Sequence, residues 1–468
     1  MKESAAPGLV RGLGLFDATT LIVGSVIGSG IFVAPSIMAG YVQSPAMLLG
    51  LWALGGILSL FGALAYAELA AAMPRAGGQY VFLGRAFGPL WGFLYGWTFL
   101  FAINTGFIAA VAVAFAKYVG VFVPAVGEGT ILFTLGRPFA TAQAVALVVV
   151  LVLTWVNVTG LRMGALVQNT FTVAKVAAIA VLFLLAFALG RGSAAHFSSP
   201  AGPLALGPLG VELGLFAAIA VAMSKALFAY DAWNSATFAA EEVKDPERNL
   251  VRSLLLGTLA ITVIYCAAVA VYIYMVPVGE MAAVRDNRIA SEAAHRMLGP
   301  TGEAFIAVAI LLSAFGCVNG LVLSGARVVY AMARDGLFFP LAAAIHPVHR
   351  TPARALVIQG LVAALLTLTG TYSDLLTLTA FSSLLFNTLT VVGLFVLRRT
   401  APGLSRPYRA WGYPVLPLLY VVVAAFFLFF ILKGDPRNSG MGLLLTALGL
   451  PAYVYWRRRP PAPEVMTR

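Results

Sequence analysis

The chain has 468 residues and a formal net charge of +12, with 61% apolar residues and only 10% charged residues. Soluble domains carry about 25% charged residues, so this composition excludes an ordinary soluble enzyme or binding domain and indicates several membrane crossings. The two cysteines, Cys266 and Cys317, lie in apolar runs, which excludes a disulfide-rich framework. The four histidines show no spacing typical of metal ligands.

Apolar runs long enough to cross a bilayer recur along the chain. At about 20 residues per crossing, they predict an all-α polytopic membrane protein with twelve transmembrane helices. The predicted spans cover residues 16–40, 46–73, 86–117, 140–158, 165–190, 212–240, 253–277, 303–333, 354–370, 374–397, 412–433 and 440–456. Most of the 30 basic residues fall on the side that holds both termini, which the positive-inside rule makes cytoplasmic. The positive charge therefore reports orientation in a lipid bilayer, and no nucleic-acid partner is expected.

The first span is interrupted by the segment 24–32, which reads GSVIGSGIF. Gly28 and Gly30 lack Cβ atoms, so the helix is expected to open there and to expose backbone groups at membrane depth. The N–H groups that begin the resumed half-helix suit an anionic group such as a carboxylate, whereas the carbonyls of Val26 and Ile27 suit an ammonium or a small cation. Close packing of a neighbouring helix against the same glycines is the alternative.

The sixth span carries a polar cluster at residues 223–235, with Asp231 near its centre. Spans one and six lie five apart, as expected for two five-helix units inserted in opposite orientations. Interrupted helices at matching places in two halves indicate a transporter binding site near the bilayer midplane. Lys175 and Lys225 also lie deep in apolar runs, and charges inside the membrane are costly enough to suggest a function.

Four segments resemble the amino acid-polyamine-organocation transporters, and within them bacterial members of the L-type amino acid transporter group. They are residues 24–32 (GSVIGSGIF), 228–249 (FAYDAWNSATFAAEEVKDPERN), 325–336 (GARVVYAMARDG) and 406–417 (RPYRAWGYPVLP). The resemblance implies a LeuT-like fold, a five-plus-five inverted repeat followed by two further helices. It divides the chain into a transporter core at 1–400, with repeats at about 15–190 and 212–400, and a region at 401–468 with two additional transmembrane helices and a short basic cytoplasmic tail.

The resemblance also implies where an amino acid would bind. The carboxylate would meet backbone N–H groups of Ser29, Gly30 and Ile31. The ammonium would meet carbonyls of the two interrupted helices, namely those of Val26, Ile27, Phe228, Ala229 and Asp231. Asn387 in span ten resembles a family position beside the bound amino acid, and an asparagine that bonds a neighbouring helix is the alternative.

Three further side chains gain roles from the resemblance. Phe228 falls where the family places an aromatic thin gate, and Trp233 lies one turn further along as a second gating aromatic; packing in the core is the alternative for both. Lys175 matches a lysine that replaces a sodium ion, with its ammonium bridging span five to carbonyls of span one and to span eight near 316–320. Lys175 lies about 15 Å into its span, which disfavours snorkelling to the surface.

Two loops are also given a structure or a role. The charged segment 241–249 resembles a cytoplasmic gate, whose acids are expected to pair with Arg11, Arg75 or Arg334. The loop 277–300 on the opposite side is expected to fold as a short amphipathic cap.

Asp231 departs from the animal members of the group, which tend to have glycine there. Its carboxylate could select substrates, couple protons or pair with Lys225, and a structural or orienting role ranks first. Six residues do not lie on one helical face, so only a broken helix would let the two side chains meet.

The expected function is secondary transport of amino acids across the plasma membrane, the bacterial inner membrane, by alternating access. Sodium-independent exchange or uniport of small or neutral L-amino acids ranks above a cationic amino acid or polyamine carrier and a proton-coupled symporter. An enzyme is not expected because the spans hold no convergent acid, base and nucleophile, and a channel is disfavoured because no filter-like motif is present. No cofactor or metal is expected. The loop 118–139 holds no cysteine, so a heavy subunit linked by a disulfide, as in animal members, is not expected either.

Overall fold

The computed structural model describes residues 8–127, 130–135, 137–199, 214–369 and 372–458. Helices dominate the described chain, with one β-hairpin between the third and fourth predicted spans. The first nine helices are α1 (Leu15–Val26), α2 (Gly30–Ala39), α3 (Pro45–Ala72), α4 (Gln79–Phe87), α5 (Pro89–Thr98), α6 (Asn104–Phe122), α7 (Thr141–Val158), α8 (Leu161–Ala188) and α9 (Leu215–Tyr230). The remainder are α10 (Ser235–Phe238), α11 (Pro246–Met275), α12 (Val278–Met281), α13 (Ile289–Leu298), α14 (Pro300–Arg334), α15 (Ala353–Thr369), α16 (Tyr372–Thr400), α17 (Val415–Gly434) and α18 (Pro436–Arg457). A π-helical turn, Phe99–Ile103, joins α5 to α6.

Each predicted span coincides with a helix or with a pair of consecutive helices. Among the described residues, nine helical stretches are long and apolar enough to cross a membrane, and α9 and residues 353–368 are shorter apolar helices. The prediction of a polytopic membrane protein built mainly of helices is therefore confirmed, and the β-hairpin is a departure from the predicted all-α class. The count of twelve crossings, the inverted repeat and the division near residue 400 stay predictions.

Proline and capping side chains set where several helices begin. In α3, the Ser44 side chain accepts a hydrogen bond from the Met47 N–H at 3.4 Å, and Pro45 occupies the first turn. In α18, the Asp435 carboxylate accepts from the Asn438 N–H at 3.2 Å, and Pro436 follows it. Proline fits the first turn because its missing N–H would have no intrahelical partner there.

The loop 277–300 folds as the predicted amphipathic cap. Helix α13 buries an apolar face that includes Ile289, Ala293 and Met297. Its Arg296 lies on the polar side, 2.8 Å from a Glu280 carboxylate oxygen. The β-hairpin, β1 (Ile131–Leu135) paired antiparallel with β2 (Arg137–Ala140), was not predicted.

Two apolar cores organise the helices. The first core is built mainly from α1, α2, α3, α9, α11 and α17, and the second from α5, α6, α7, α15, α18 and the later part of α14. Most buried side chains of α9 belong to the first core, whereas Phe228 packs in the second. Near the end of α9, the Phe228 side chain therefore packs in the second core, although the rest of the helix packs mainly in the first.

Candidate functional site

The first break lies between α1 and α2, as predicted from the glycines. Three residues, Ile27, Gly28 and Ser29, separate the two helices, and the Gly28 N–H turns back to the Val26 carbonyl at 2.8 Å. A Cβ atom on Gly28 would lie 2.9 Å from the Cys317 sulfur of α14. Both interpretations of the glycines therefore apply at Gly28. The helix opens there, and α14 packs closely against the same residue.

Lys175 of α8 bonds the carbonyls at the end of α1. Its Nζ donates to the carbonyls of Gly24 at 2.9 Å and Ile27 at 2.7 Å, and to the Ser313 carbonyl of α14 at 2.8 Å. The side chain is completely buried. The ammonium therefore bridges span five to spans one and eight, as the family resemblance implies, although the span-eight contact is at Ser313, shortly before the expected residues 316–320. Its role as a replacement for sodium stays a prediction.

Hydroxyl and thiol groups of α14 bond the same end of α1. The Ser313 hydroxyl donates to the Ile27 carbonyl at 2.8 Å, and the Cys317 thiol donates to the Ser25 carbonyl at 2.8 Å. The Ile27 carbonyl, predicted to receive an ammonium from the ligand, is thus engaged by two protein donors in this conformation.

Tyr265 of α11 joins the two interrupted helices, and sequence reasoning missed it. Its hydroxyl lies 2.9 Å from the Val26 carbonyl, at the end of α1, and 3.0 Å from the Ala229 carbonyl, near the end of α9. The residue is fully buried. A tyrosine within a predicted span was a visible signal, because a buried hydroxyl requires a partner.

The start of α2 touches the end of α9. A Cβ atom on Gly30 would lie 2.7 Å from the Ala229 Cβ and 2.9 Å from its Cα. The first N–H groups of any α-helix lack an intrahelical acceptor, and in α2 these belong to Gly30 and Ile31, two of the predicted carboxylate donors. Ser29, the third, is buried directly before them. The predicted donors therefore lie together at the contact between the two breaks.

The second break lies between α9 and α10 and contains Asp231. The backbone turns sharply at Ala232, whose φ of 69° is in the left-handed region. The Asp231 N–H donates to the Phe228 carbonyl at 3.2 Å, and one carboxylate oxygen, Oδ1, accepts from the Ala232 N–H at 2.8 Å. The other oxygen, Oδ2, is buried and has no hydrogen-bond partner within the described residues.

A small cavity adjoins Asp231 on the side of α3, α16 and α17. Ser59, Ser383, Asn387 and Trp233 contribute to its lining. Asn387 also makes bonds to other segments, as the alternative requires, since its Oδ1 accepts from the Tyr66 hydroxyl at 2.8 Å and from the Asn234 side-chain amide at 3.4 Å. Its Nδ2 donates to the Ser383 hydroxyl oxygen within α16 at 3.3 Å. Asn387 therefore both ties helices together and faces the cavity.

Both predicted gating aromatics are buried beside the second break. Phe228 stacks on Phe107 of α6 with ring centroids 4.6 Å apart, and Trp233 meets the Tyr66 ring edge-on at 4.7 Å. A Cβ atom on Gly62 of α3 would lie 2.9 Å from the Trp233 ring, so that glycine makes room for the indole. The two aromatics thus pack on different partners, and their gating role stays a prediction.

Lys225 has a different electrostatic partner from the one considered on the sequence. It interacts with Asp435, which precedes α18. Asp231 is instead held by the Ala232 N–H. The Asp231 side chain therefore bonds the backbone of its own turn and interacts with Ser383.

A buried ion pair closes the end of the bundle that carries the charged loop 241–249. The Arg327 Nε lies 2.6 Å from one Glu242 oxygen, and its Nη2 lies 2.9 Å from the other. Arg327 is 1% exposed and the Glu242 side chain 0%, so the pair is shielded from water. Neither residue was predicted as a partner of the other.

The predicted pairing of the loop acids with Arg334 is confirmed. The Arg334 Nη1 lies 2.9 Å from a Glu241 oxygen. Arg75 lies 4.0 Å from Asp335, a residue outside the predicted acidic loop.

The segment before α1 joins the same closure. The N–H groups of Gly12 and Leu13 both donate to the Glu242 carbonyl, at 2.9 and 3.0 Å, and the Lys244 N–H donates to the Leu13 carbonyl at 2.8 Å. These bonds form a short parallel bridge beside the buried ion pair.

Comparisons with known proteins agree with this architecture. A sequence profile of amino acid permeases matches residues 13–450. The chain is 31% identical to a serine/threonine exchanger, SteT, of Bacillus subtilis, over 97% of this chain and 98% of the relative. It is 31% identical to the large neutral amino acids transporter small subunit 2 of Mus musculus and 30% identical to the Asc-type amino acid transporter 1 of the same species. Each match covers 97% of this chain, and it covers 82% of the first relative and 83% of the second.

Proposed function

Because the chain belongs to the amino acid permease family, we propose that it exchanges small or neutral L-amino acids across the plasma membrane by alternating access, independently of sodium. The observation that carries the proposal is the contact between the two interrupted helices. The carbonyls of Gly24 and Ile27, at the end of α1, are already bonded by the Lys175 ammonium. A fixed cation at this point supplies the positive charge that a sodium ion would otherwise bring.

Binding begins at the two breaks. The substrate carboxylate accepts from the first N–H groups of α2, at Gly30 and Ile31, where the helix dipole is positive. The ammonium donates to carbonyls at the end of α9, where the dipole is negative, with Phe228 and Ala229 as the nearest candidates. Since a Cβ on Gly30 would already clash with Ala229, the breaks must separate to admit the amino acid.

Transport follows from opposed opening of the two ends. In this conformation the Glu242–Arg327 pair and the Glu241–Arg334 pair hold the charged end shut. Opening that end separates these partners, while Phe228, stacked in the second core, moves relative to the first. Phe228 is then placed to cover a bound substrate from one side.

The topology forms part of the proposal. Twelve crossings with both termini in the cytoplasm would use the nine long apolar stretches together with α9, α15 and α18. The Mus musculus relative is named a small subunit, which implies a partner for that protein. In this chain the only two cysteines are Cys266 in α11 and Cys317 in α14, so we propose that no partner is held by a disulfide.

The test is exchange in proteoliposomes that contain the purified full chain. Radiolabelled L-serine or L-alanine should enter faster when the lumen holds unlabelled substrate, and equally fast in sodium and choline chloride. Empty liposomes and the Gly30→Val variant provide the controls. Absence of trans-stimulated uptake for every amino acid tried would overturn the proposal.

A cationic amino acid or polyamine carrier is the second candidate, and the unpartnered Asp231 oxygen is the observation that favours it. Unlabelled arginine or putrescine should then compete for uptake while alanine and leucine should not. A proton-coupled symporter would instead accumulate substrate when an inward proton gradient is imposed without any internal amino acid.

A further inference from the structure

The second break contains a buried acceptor that the exchange mechanism above does not use. Asp231 Oδ2 has no hydrogen-bond partner in the described part of the chain, although its sister oxygen is bonded to the Ala232 N–H. Asp231 also follows the last residue of α9, the negative end of the helix dipole, which disfavours a bare carboxylate. A buried carboxylate oxygen in this position calls for a hydrogen-bond donor.

Apart from Asp231, the residues that line the adjacent cavity are uncharged, and several of them are polar. Ser59 and Ser383 present hydroxyls and Asn387 presents an amide, whereas Trp233, Leu58 and Leu384 supply apolar walls. Ser383 already accepts from Asn387 at 3.3 Å, and Ser59 already donates to the Gly55 carbonyl at 2.9 Å. Ser383 also interacts with the Asp231 carboxylate, whose Oδ2 still has no partner at ordinary hydrogen-bond geometry among the described residues.

The size of the cavity limits the group that would enter it. The cavity has a volume of only about 20 Å³. That space suits one hydroxyl or ammonium group and is too small for a guanidinium or a phenyl ring. A ligand group must also reach the cavity from the second break, and Asp231 is two residues from Ala229, which touches Gly30.

We propose that the Asp231 cavity is the side-chain subsite of the transporter, and that it selects amino acids whose β-carbon carries a small hydrogen-bond donor, a hydroxyl or an ammonium. This inference rests on the proposed exchange of amino acids and names the substrate class. The side-chain donor bonds Asp231 Oδ2, with the hydroxyls and amide of the cavity around it. An amino acid of the same shape without the donor leaves the carboxylate unpaired and is rejected.

The decisive experiment compares isosteric pairs on the purified full chain in proteoliposomes. Threonine and valine have the same shape and differ in one hydroxyl, and serine differs from alanine by the hydroxyl alone. The apparent affinity in competition with radiolabelled serine should favour threonine over valine by about 10-fold to 100-fold, the range expected for a hydrogen bond to a buried charge. 2,3-Diaminopropionate should compete as well as serine, and arginine should not compete.

Two variants assign the effect to Asp231. Asp231→Asn keeps an acceptor for the Ala232 N–H and should reduce the preference for threonine over valine to less than about threefold, with the loss of 2,3-diaminopropionate binding. Asp231→Ala should remove the preference altogether. Glu303→Gln, which removes a carboxylate from an outward ion pair with His295, is the matched control and should keep the wild-type preference.

The outcomes separate the subsite from the exchange function. Equal affinity of wild-type protein for threonine and valine would overturn the subsite while leaving exchange intact. An unchanged preference in Asp231→Asn and Asp231→Ala would also overturn it. Failure of the broader function would instead appear as the absence of exchange for every amino acid by the wild-type protein, and a single symmetric elution peak of each purified variant shows that it has folded.

Discussion

The two interrupted helices differ in how far the protein itself satisfies the groups that each break exposes. At the first break, Lys175, Ser313, Cys317 and Tyr265 bond the carbonyls of residues 24–27. At the second break, Tyr265 reaches the Ala229 carbonyl, and one oxygen of Asp231 has no partner among the described residues. The carbonyls of the first break are therefore satisfied without a ligand, whereas the second break leaves one carboxylate oxygen open.

The two breaks are therefore expected to recognise different parts of the amino acid. A break whose carbonyls are fixed by three neighbouring helices holds the start of α2 in place, so its N–H groups are arranged before a carboxylate arrives. That part of the ligand is common to all amino acids. The second break offers an acceptor that only some ligands can satisfy, so side-chain preference is expected to depend on it.

The largest effect is expected from forcing the breaks apart. Gly30→Val places a branched side chain where a Cβ already comes within 2.7 Å of Ala229. Overpacking of this kind costs about 1–3 kcal/mol, and the same methyl groups obstruct the carboxylate donors, so exchange should be abolished. The loss of exchange is measured as uptake per amount of protein inserted in the membrane. Gly50→Val is the control, because a Cβ atom at Gly50 would meet open space. Wild-type substrate affinity in Gly30→Val would contradict the arrangement.

A smaller loss is expected when the first break loses its cation. Lys175→Ala removes a donor from the carbonyls of Gly24, Ile27 and Ser313. Ile27 keeps the Ser313 hydroxyl, and each buried group left unsatisfied costs about 1–3 kcal/mol. Exchange should fall at least about tenfold while membrane insertion changes little, as measured by uptake and by the amount of protein in the bilayer.

Lys433→Ala, which removes a lysine beside the Phe429 ring, is the control for loss of positive charge. Equal losses of insertion and transport in Lys175→Ala would show that Lys175 serves the fold alone.

At the second break, Phe228→Leu should loosen the aromatic cover. Leucine fills part of the space and loses the stack on Phe107, worth about 0.5–1.5 kcal/mol. Efflux without external substrate should rise about twofold to tenfold relative to exchange. Phe187→Leu, at an exposed ring stacked near Tyr274, should leave that ratio unchanged. A normal ratio in Phe228→Leu would favour simple core packing for this residue.

The smallest effect is expected at the residue that the two breaks share. Tyr265→Phe removes one hydroxyl from between the Val26 and Ala229 carbonyls, a loss of about 1 kcal/mol or about fivefold. Because both breaks lose a partner, KM and the maximal exchange rate should both change, as read from the concentration dependence of uptake. Tyr274→Phe is the control, and a change in KM alone would assign Tyr265 to one break.

Features encoded by local composition were predicted well from the sequence. The positions of the spans follow from apolar runs, the first break from Gly28 and Gly30, and the importance of Lys175 from the cost of a charge deep in a span. The bridge that Lys175 makes to two other spans was implied by the family resemblance. The second break follows from the polar cluster around Asp231. Each of these signals lies within a few neighbouring residues.

Features that depend on distant partners were missed. Tyr265 is 239 residues from Val26, and Arg327 is 85 residues from Glu242, so nothing local marks either contact. The carbonyls of Val26 and Ile27 were assigned to the substrate because their protein partners lie on other helices. The β-hairpin at residues 131–140 was missed because short strands depend on their pairing more than on their composition.

The bridge between Leu13 and Lys244 makes the closed end of the bundle observable without any substrate. The Lys244 N–H is protected by the Leu13 carbonyl, and the Leu13 N–H by the carbonyl of Glu242, whose side chain forms the buried ion pair. Separation of Glu242 from Arg327 moves the 242–244 segment, with which Leu13 forms both backbone hydrogen bonds. Hydrogen–deuterium exchange at these two backbone positions therefore reports how often the charged end opens, and it does so on a timescale that transport assays average away.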